Sequence, residues 1–317
     1  MVFFSDLGVR VMFMNRRVVF VIENEWAFGS IHNELSKRLH SRGMNCFFLN
    51  WSLNYSKSEI FELDVHVDLW VTVPHGARVG LMKHYGISPS RIGIVSHARS
   101  DSLEANELVS SGTSFAFTAA VSKDLLQFER QNTSLESVLL PVRISRDNYC
   151  APAARTLNRV GFAGTTVERL KEIKRLHLIE QACQQANIEL VVAEKYHNSW
   201  ITNTSFYRNV DAVVQASTYE GLGLPQLEAG AAGRLVFTTD VGAYSELVTE
   251  KGADLLPMDS DELVRNLVDR INFYRSNPDV FHRRTIEIQE HSRNYDWEHV
   301  LHLWEEVVRK ACWSAAE

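Results

Sequence analysis

Residues 217–247 read STYEGLGLPQLEAGAAGRLVFTTDVGAYSEL, and the architecture follows from this stretch. Residues 212–215, AVVQ, deliver the chain to it in the manner of a buried strand. Glu220, Gly221, Leu222, Gly223 and Leu224 then make a glycine-rich turn. Pro225 suits the first position of a helix, because its fixed φ is helical and its missing N–H has no partner to lose there. The N–H groups of Leu222, Gly223 and Leu224 are therefore expected at a helix N-terminus, open to an anion such as phosphate. Glu228 is expected in the first turn of that helix and Glu220 on the loop before it, with both carboxylates facing one mouth. Two acids beside an anion cradle suit a ligand that carries hydroxyls as well as phosphates, one acid for a ribose and one for a sugar. Ala229, Gly230, Ala231, Ala232 and Gly233 keep the helix slim for close packing on a sheet, and residues 235–238 read as the next buried strand.

Upstream, short apolar runs alternate with helical periodicity. Residues 18–22, 46–49, 69–73, 91–95, 115–121 and 139–142 read as strands of a parallel sheet with helices on both faces. A loop over 23–29 precedes a helix with Ile31, Leu35 and Leu39 on one face, and Ser122 is placed to cap another. Residues 143–158, RISRDNYCAPAARTLN, lose the periodicity and read as the linker. Alternation resumes with strands at 160–163, 189–193, 212–215 and 235–238, and with one continuous helix over 167–186. The spacing thus predicts an α/β protein with two Rossmann-like, doubly wound domains facing a central cleft, over 1–148 and 149–296. A C-terminal helix over 297–317 is expected to complete the first domain. Ligands of open α/β sheets lie at the carboxyl ends of the strands, so a two-substrate cleft enzyme is the expectation.

The chain has 317 residues and a formal charge of −6, ordinary for a globular protein and without a global basic field for nucleic acid. Its four cysteines form no CxxC pair, which argues against a disulfide framework or a structural zinc site and for a reducing compartment. No apolar run reaches the ~18 residues of a spanning helix. Residues 1–13 read as a frayed extension, with a stretch lying on a membrane surface as the alternative. Gln226 breaks the G-x-G-x-x-G fingerprint that starts at Gly221, which disfavours a nicotinamide oxidoreductase. Asp259-Ser260-Asp261 matches a metal-binding D-x-D, but its place just before an amphipathic pattern reads as a helix cap.

The pattern Ser217, Glu220-Gly221, Gly223-Leu224-Pro225, Glu228-Ala229, Ala231, Gly233, Gly242 and Glu246 resembles that of the retaining GT-B glycosyltransferases of family 4 type, the glycosyl transferases group 1. Weaker echoes are Gly29 after the first strand, Ser96-His97, Val121-Ser122 and Tyr295-Asp296-Trp297-Glu298. The resemblance implies a hexosyl- or related glycosyltransferase that moves a sugar from a nucleotide-sugar donor to an acceptor with retention of configuration and without a metal. It implies Glu220 and His97 as catalytic residues, the latter reaching the donor sugar. It implies Glu228, Gly221, Leu222, Gly223 and Leu224 as donor-binding, Glu228 on the ribose, and Gly29 on the acceptor side. The family places G-R after the first strand of the second domain and a Lys beyond it, to grip the diphosphate. Here Thr165 stands where the Arg is expected, and Lys171, with Arg169 next, is the candidate for the Lys. The acceptor class stays open between a glycan, a lipid-linked glycan, a protein and a modified nucleic acid. The protein is expected to be cytoplasmic or peripheral to a membrane. A non-catalytic nucleotide-sugar or glycan binder on the same scaffold and a GT-B-fold nucleotide-sugar epimerase are the alternatives.

Overall fold

Runs of β-branched and apolar residues, bounded by turns, become the strands of two sheets in which every described pairing is parallel. The computed structural model describes residues 16–22, 27–194 and 200–314; the expectation for residues 1–13 lies outside them. Residues up to Val142, together with those from Val300 onward, form one compact unit, and Arg143–His299 form the other.

In the first unit the strands are β1 (Arg17–Ile22), β2 (Asn45–Asn50), β3 (Leu69–Thr72), β4 (Ile92–Ser96), β5 (Phe117–Ala120) and β6 (Val138–Leu139), in the order β2-β1-β3-β4-β5-β6. The central strands β3 and β4 are buried along their whole length, as expected for a sheet covered on both faces. β6 is shorter than the apolar run 139–142, because Pro141 has no N–H to give to a ladder. The final helix begins at Leu301, after a single 3₁₀ turn over Trp297–His299. It buries Leu301, Trp304 and Val308, and the Trp304 indole N–H donates to the Pro141 carbonyl at 2.9 Å.

In the second unit β7 (Arg159–Gly164), β8 (Glu189–Glu194), β9 (Ala212–Gln215), β10 (Leu235–Thr238) and β11 (Asp254–Leu255) lie in the order β11-β10-β9-β7-β8. The order reverses between β7 and β9, and the gap beyond their carboxyl ends is where ligands of such sheets sit. Two expectations need correction here. Residues 143–158 are no loose linker. Ala154 N–H donates to Gly233 O, Thr285 Oγ1 and Gln289 Nε2 donate to the Ala154 and Ala151 carbonyls, and Ile144 pairs with Asp296. Nor is 167–186 one helix. A 3₁₀ turn (Glu168–Leu170) and a short helix (Lys171–Lys174) end at Arg175 in left-handed conformation (φ 50°, ψ 37°), and Leu176–Gln185 starts afresh. The cause is tertiary. Buried Arg175 donates from Nε to the Ala216 carbonyl (2.5 Å) and from Nη1 to the Met258 carbonyl (2.7 Å), and a straight helix cannot bring it there. Such a backbone state costs a non-glycine residue on the order of 1–3 kcal/mol, which charged hydrogen bonds of about 1.5–3 kcal/mol each offset.

No described helix is long and apolar enough to cross a membrane.

Candidate functional site

The switch point of the second sheet collects residues from two loops. β9 is buried throughout and ends at Gln215; the chain then turns through Ser217 to Leu224. Gly223 (φ 82°, ψ 54°) is the N-cap of the helix Leu224–Ala231, so Pro225 takes the second helical position and Glu228 falls beyond the first turn. Glycine is favoured at Gly223 by its φ of +82°, and at Gly242 both by a φ of +61° and by the Leu222 carbonyl, which a side chain would run into. With Gly242 against the turn, Ala243 N–H donates to Leu222 O at 2.8 Å and fixes that peptide. The turn thus holds its shape by backbone contact.

Glu220 lies on this turn, its side chain about one-seventh exposed (14%). Its Oε1 accepts from Ser217 Oγ at 2.6 Å and from Lys174 Nζ at 2.5 Å. Lys174 ends the short helix Lys171–Lys174 that follows β7, immediately before the break at Arg175. Ile173 O accepts from Thr218 N–H at 2.9 Å and Arg175 binds Ala216, so the segments 173–175 and 216–218 are laced together and the ammonium reaches the carboxylate. Lys171 instead forms an exposed, long ion pair with Glu168 (3.6 Å). Arg169 lies in the 3₁₀ turn, and its side chain lies outside the described residues. Thr165, half-buried, accepts from Val167 N–H at 3.3 Å. Lys174 is therefore the cation that the fold brings to Glu220. Nothing in the spacing picks it out, because a continuous helix over 167–186 would have carried it past the turn.

Glu228 is buried and points to two phenols. Tyr149 Oη donates to Oε1 at 2.8 Å, and Tyr207 Oη donates to Oε2 at 2.5 Å. Burial pushes the Glu228 carboxyl above the usual carboxylate range, and the two phenol donors pull it part of the way back. Burial and the neighbouring carboxylate push the Tyr207 phenol far up, so it stays a donor. Neither tyrosine stands out in the sequence: one falls in the segment read as linker, the other on a helix outside the motif.

His97 and Gly29 belong to the first unit. His97 follows β4, buried, with its Nε2 3.0 Å from Nε2 of His32. Burial lowers both imidazoles, His32 to about 4 and His97 well below the usual histidine value, with His32 adding to the shift of His97. Asp101 accepts from the backbone N–H of His97 (2.8 Å) and of Ala98 (3.1 Å). Burial raises its carboxyl to about 6, against those two bonds. Gly29 is buried within the first turn of the helix Ala27–Ser41, where a loop residue is expected; only 23–26 lie outside the described residues. In the second unit Asp259 caps the helix Ser260–Ser276, accepting from Asp261 and Glu262 N–H. Among the described residues no three His, Cys, Asp or Glu side chains stand together as metal ligands.

Comparison with known proteins bears on the family and the fold. Residues 177–287 match the family model described as Glycosyl transferases group 1. The chain is 20% identical to a phosphatidylinositol N-acetylglucosaminyltransferase component from Arabidopsis thaliana over 97% of its own length. It spans 66% of that relative. A 44-residue stretch, 14% of the chain and 12% of the relative, is 54% identical to the lipopolysaccharide core biosynthesis mannosyltransferase LpsB of Rhizobium meliloti. Among solved structures, sucrose-phosphate synthase from Thermosynechococcus elongatus superposes with a TM-score of 0.68 at 13% identity, covering 95% of this chain and 100% of that one. Anabaena HepE in complex with UDP and glucose gives 0.66 at 13% identity, covering 93% and 99%. The fold is thus of GT-B type, two parallel-sheet Rossmann-like domains, and the domain match and both curated names support a transferase enzyme.

Proposed function

We propose that this protein transfers a sugar from a nucleotide-diphosphate donor to an acceptor, with retention of configuration and without a metal. The observation that carries the proposal is the Lys174–Glu220 pair, set on a rigid glycine turn at the topological switch point of the second sheet. The Glycosyl transferases group 1 match over 177–287 and the UDP bound to a protein of the same fold support it.

On this proposal Glu228 binds the ribose hydroxyls, its two tyrosine bonds leaving lone pairs on both oxygens for further donors. The N–H groups of the turn around Gly221, Leu222, Gly223 and Leu224 face the diphosphate at the positive end of a helix. Lys174 supplies the charge that neutralises the leaving diphosphate, compensating for Thr165 where an arginine is expected. Glu220 contacts the transferred sugar and steadies the positive charge that grows on its ring. Diphosphate oxygens so held assist attack from the face they leave, which gives retention. His97 is a sugar contact and Gly29 lies on the acceptor side. The acceptor is a glycan, lipid-linked glycan, protein or modified nucleic acid, met in the cytoplasm or at its membrane face.

A thermal-shift panel of UDP-, GDP- and ADP-sugars, followed by chromatography of donor turnover with Glu220→Gln as control, tests this. A ligand selective for the native state raises apparent stability. Donor cleavage that needs Glu220 is the expected result. Interconversion of donor sugars without acceptor marks an epimerase, binding without turnover marks a non-catalytic binder, and either outcome refutes the proposal.

A further inference from the structure

The histidine pair in the first unit carries information beyond the sugar-transfer proposal. His32 lies on the helix Ala27–Ser41 and His97 follows β4, 65 positions away, yet their Nε2 atoms stand 3.0 Å apart with both rings buried. At that distance one nitrogen carries a proton and the other a lone pair; two protons would repel and two lone pairs would leave no bond. Both rings are neutral near pH 7, since burial disfavours the imidazolium.

Two arrangements remain, and the far side of His32 separates them. Its Nδ1 is buried and has no hydrogen-bond partner among the described residues. If His97 donates, His32 must carry its own proton on Nδ1, and a buried N–H is orphaned. If His32 donates, Nδ1 keeps only a lone pair. Orphaned buried donors are rarer in folded proteins than under-satisfied acceptors. The edge-on packing of His32 with Phe20 (5.8 Å between centroids, 85°) holds the ring in place. The backbone of His97 is fixed separately by Asp101.

We propose that His32 is a positioning residue whose Nε2–H donates to His97 Nε2, which fixes His97 as a neutral imidazole with its proton on Nδ1. With Nε2 committed to His32 and Nδ1 protonated, His97 cannot act as a general base through either nitrogen. The catalytic consequence rests on the sugar-transfer proposal; the tautomer assignment does not.

The test is long-range ¹H–¹⁵N correlation spectroscopy of the full chain, which distinguishes Nδ1–H from Nε2–H imidazoles. Assignment of the His97 and His32 signals uses the single variants His97→Asn and His32→Gln. His97 is expected as Nδ1–H and His32 as Nε2–H in the wild type. In His32→Gln the glutamine amide reaches the same place and donates, so His97 stays Nδ1–H. In His32→Phe, with no donor, His97 shifts toward Nε2–H, and donor turnover falls roughly tenfold in kcat while His32→Gln keeps most of it, the scale of one lost hydrogen bond. Once the two signals are assigned, the wild-type spectrum alone decides: an Nε2–H His97 there overturns the assignment. An Nδ1–H His97 in a protein that turns over no nucleotide sugar refutes the activity and leaves the assignment standing.

Discussion

Tyr207→Phe isolates one bond to the buried Glu228. The change removes only the Oη that donates to Oε2 at 2.5 Å. The ring stays, packed edge-on against Phe206 and Tyr149 at 5.1 and 5.9 Å between centroids, so no cavity larger than one oxygen opens. One oxygen of a buried carboxylate then loses its donor. Hydrogen bonds to charged groups contribute about 1.5–3 kcal/mol, so the second unit should lose that much stability wherever Glu228 is ionised. The pH dependence supplies the sign. Burial raises the folded-state pKa of Glu228 above its unfolded value, so its contribution to stability is full below about 4.3 and is lost as pH rises through the folded value. Tyr207→Phe raises that folded pKa further. The difference from wild type should therefore shrink toward about 0.5–1.5 kcal/mol once Glu228 is protonated, where only a neutral bond is at stake. The assay is urea unfolding followed by circular dichroism over a pH series from 8 down to 4, fitting the second unit's transition by itself, with Glu228→Gln closing a double-mutant cycle. A loss that is the same across the whole series and unchanged in the Glu228→Gln background would refute the ionised, phenol-bonded Glu228.

Lys174→Ala should raise the donor Kd by ten- to a hundredfold, the scale of one charged hydrogen bond to phosphate of about 1.5–3 kcal/mol, while Lys171→Ala leaves it within twofold; calorimetry with UDP checks both. Arg175→Ala removes two side-chain bonds to carbonyls and should cost about 2–4 kcal/mol in urea unfolding, and a stability unchanged within about 0.5 kcal/mol counts against the anchored break. Gly242→Ala places a methyl against the Leu222 carbonyl at φ +61°, so the turn must move; expected are a Tm drop and loss of the thermal shift with UDP, read by differential scanning fluorimetry. His32, lowered to about 4, contributes stability that is present above its unfolded value near 6.5 and is lost as pH falls through 4, about 3 kcal/mol in all; urea unfolding of wild type against His32→Gln at pH 7.5 and 4.5 measures it.

Features that depend on neighbours along the chain were legible in the amino-acid order. The strands at 212–215 and 235–238 match β9 and β10 residue for residue, because β-branched, mostly apolar runs this short and bounded by turns suit a strand and not a helix. The glycine turn was readable for the same reason: Gly223 permits the left-handed state and Pro225 fixes its own φ, whatever surrounds them. Which side chains meet at that turn is a matter of long-range packing. Lys174 and Glu220 are 46 positions apart, Tyr149 and Glu228 79, and His32 and His97 65, and no periodicity links residues on separate elements. The break at Arg175 shows the limit most directly. Residues 167–186 have the spacing of one helix, and only the distant carbonyls of Ala216 and Met258, bonded to a buried guanidinium, make a left-handed residue the lower-energy state and set Lys174 beside the acid.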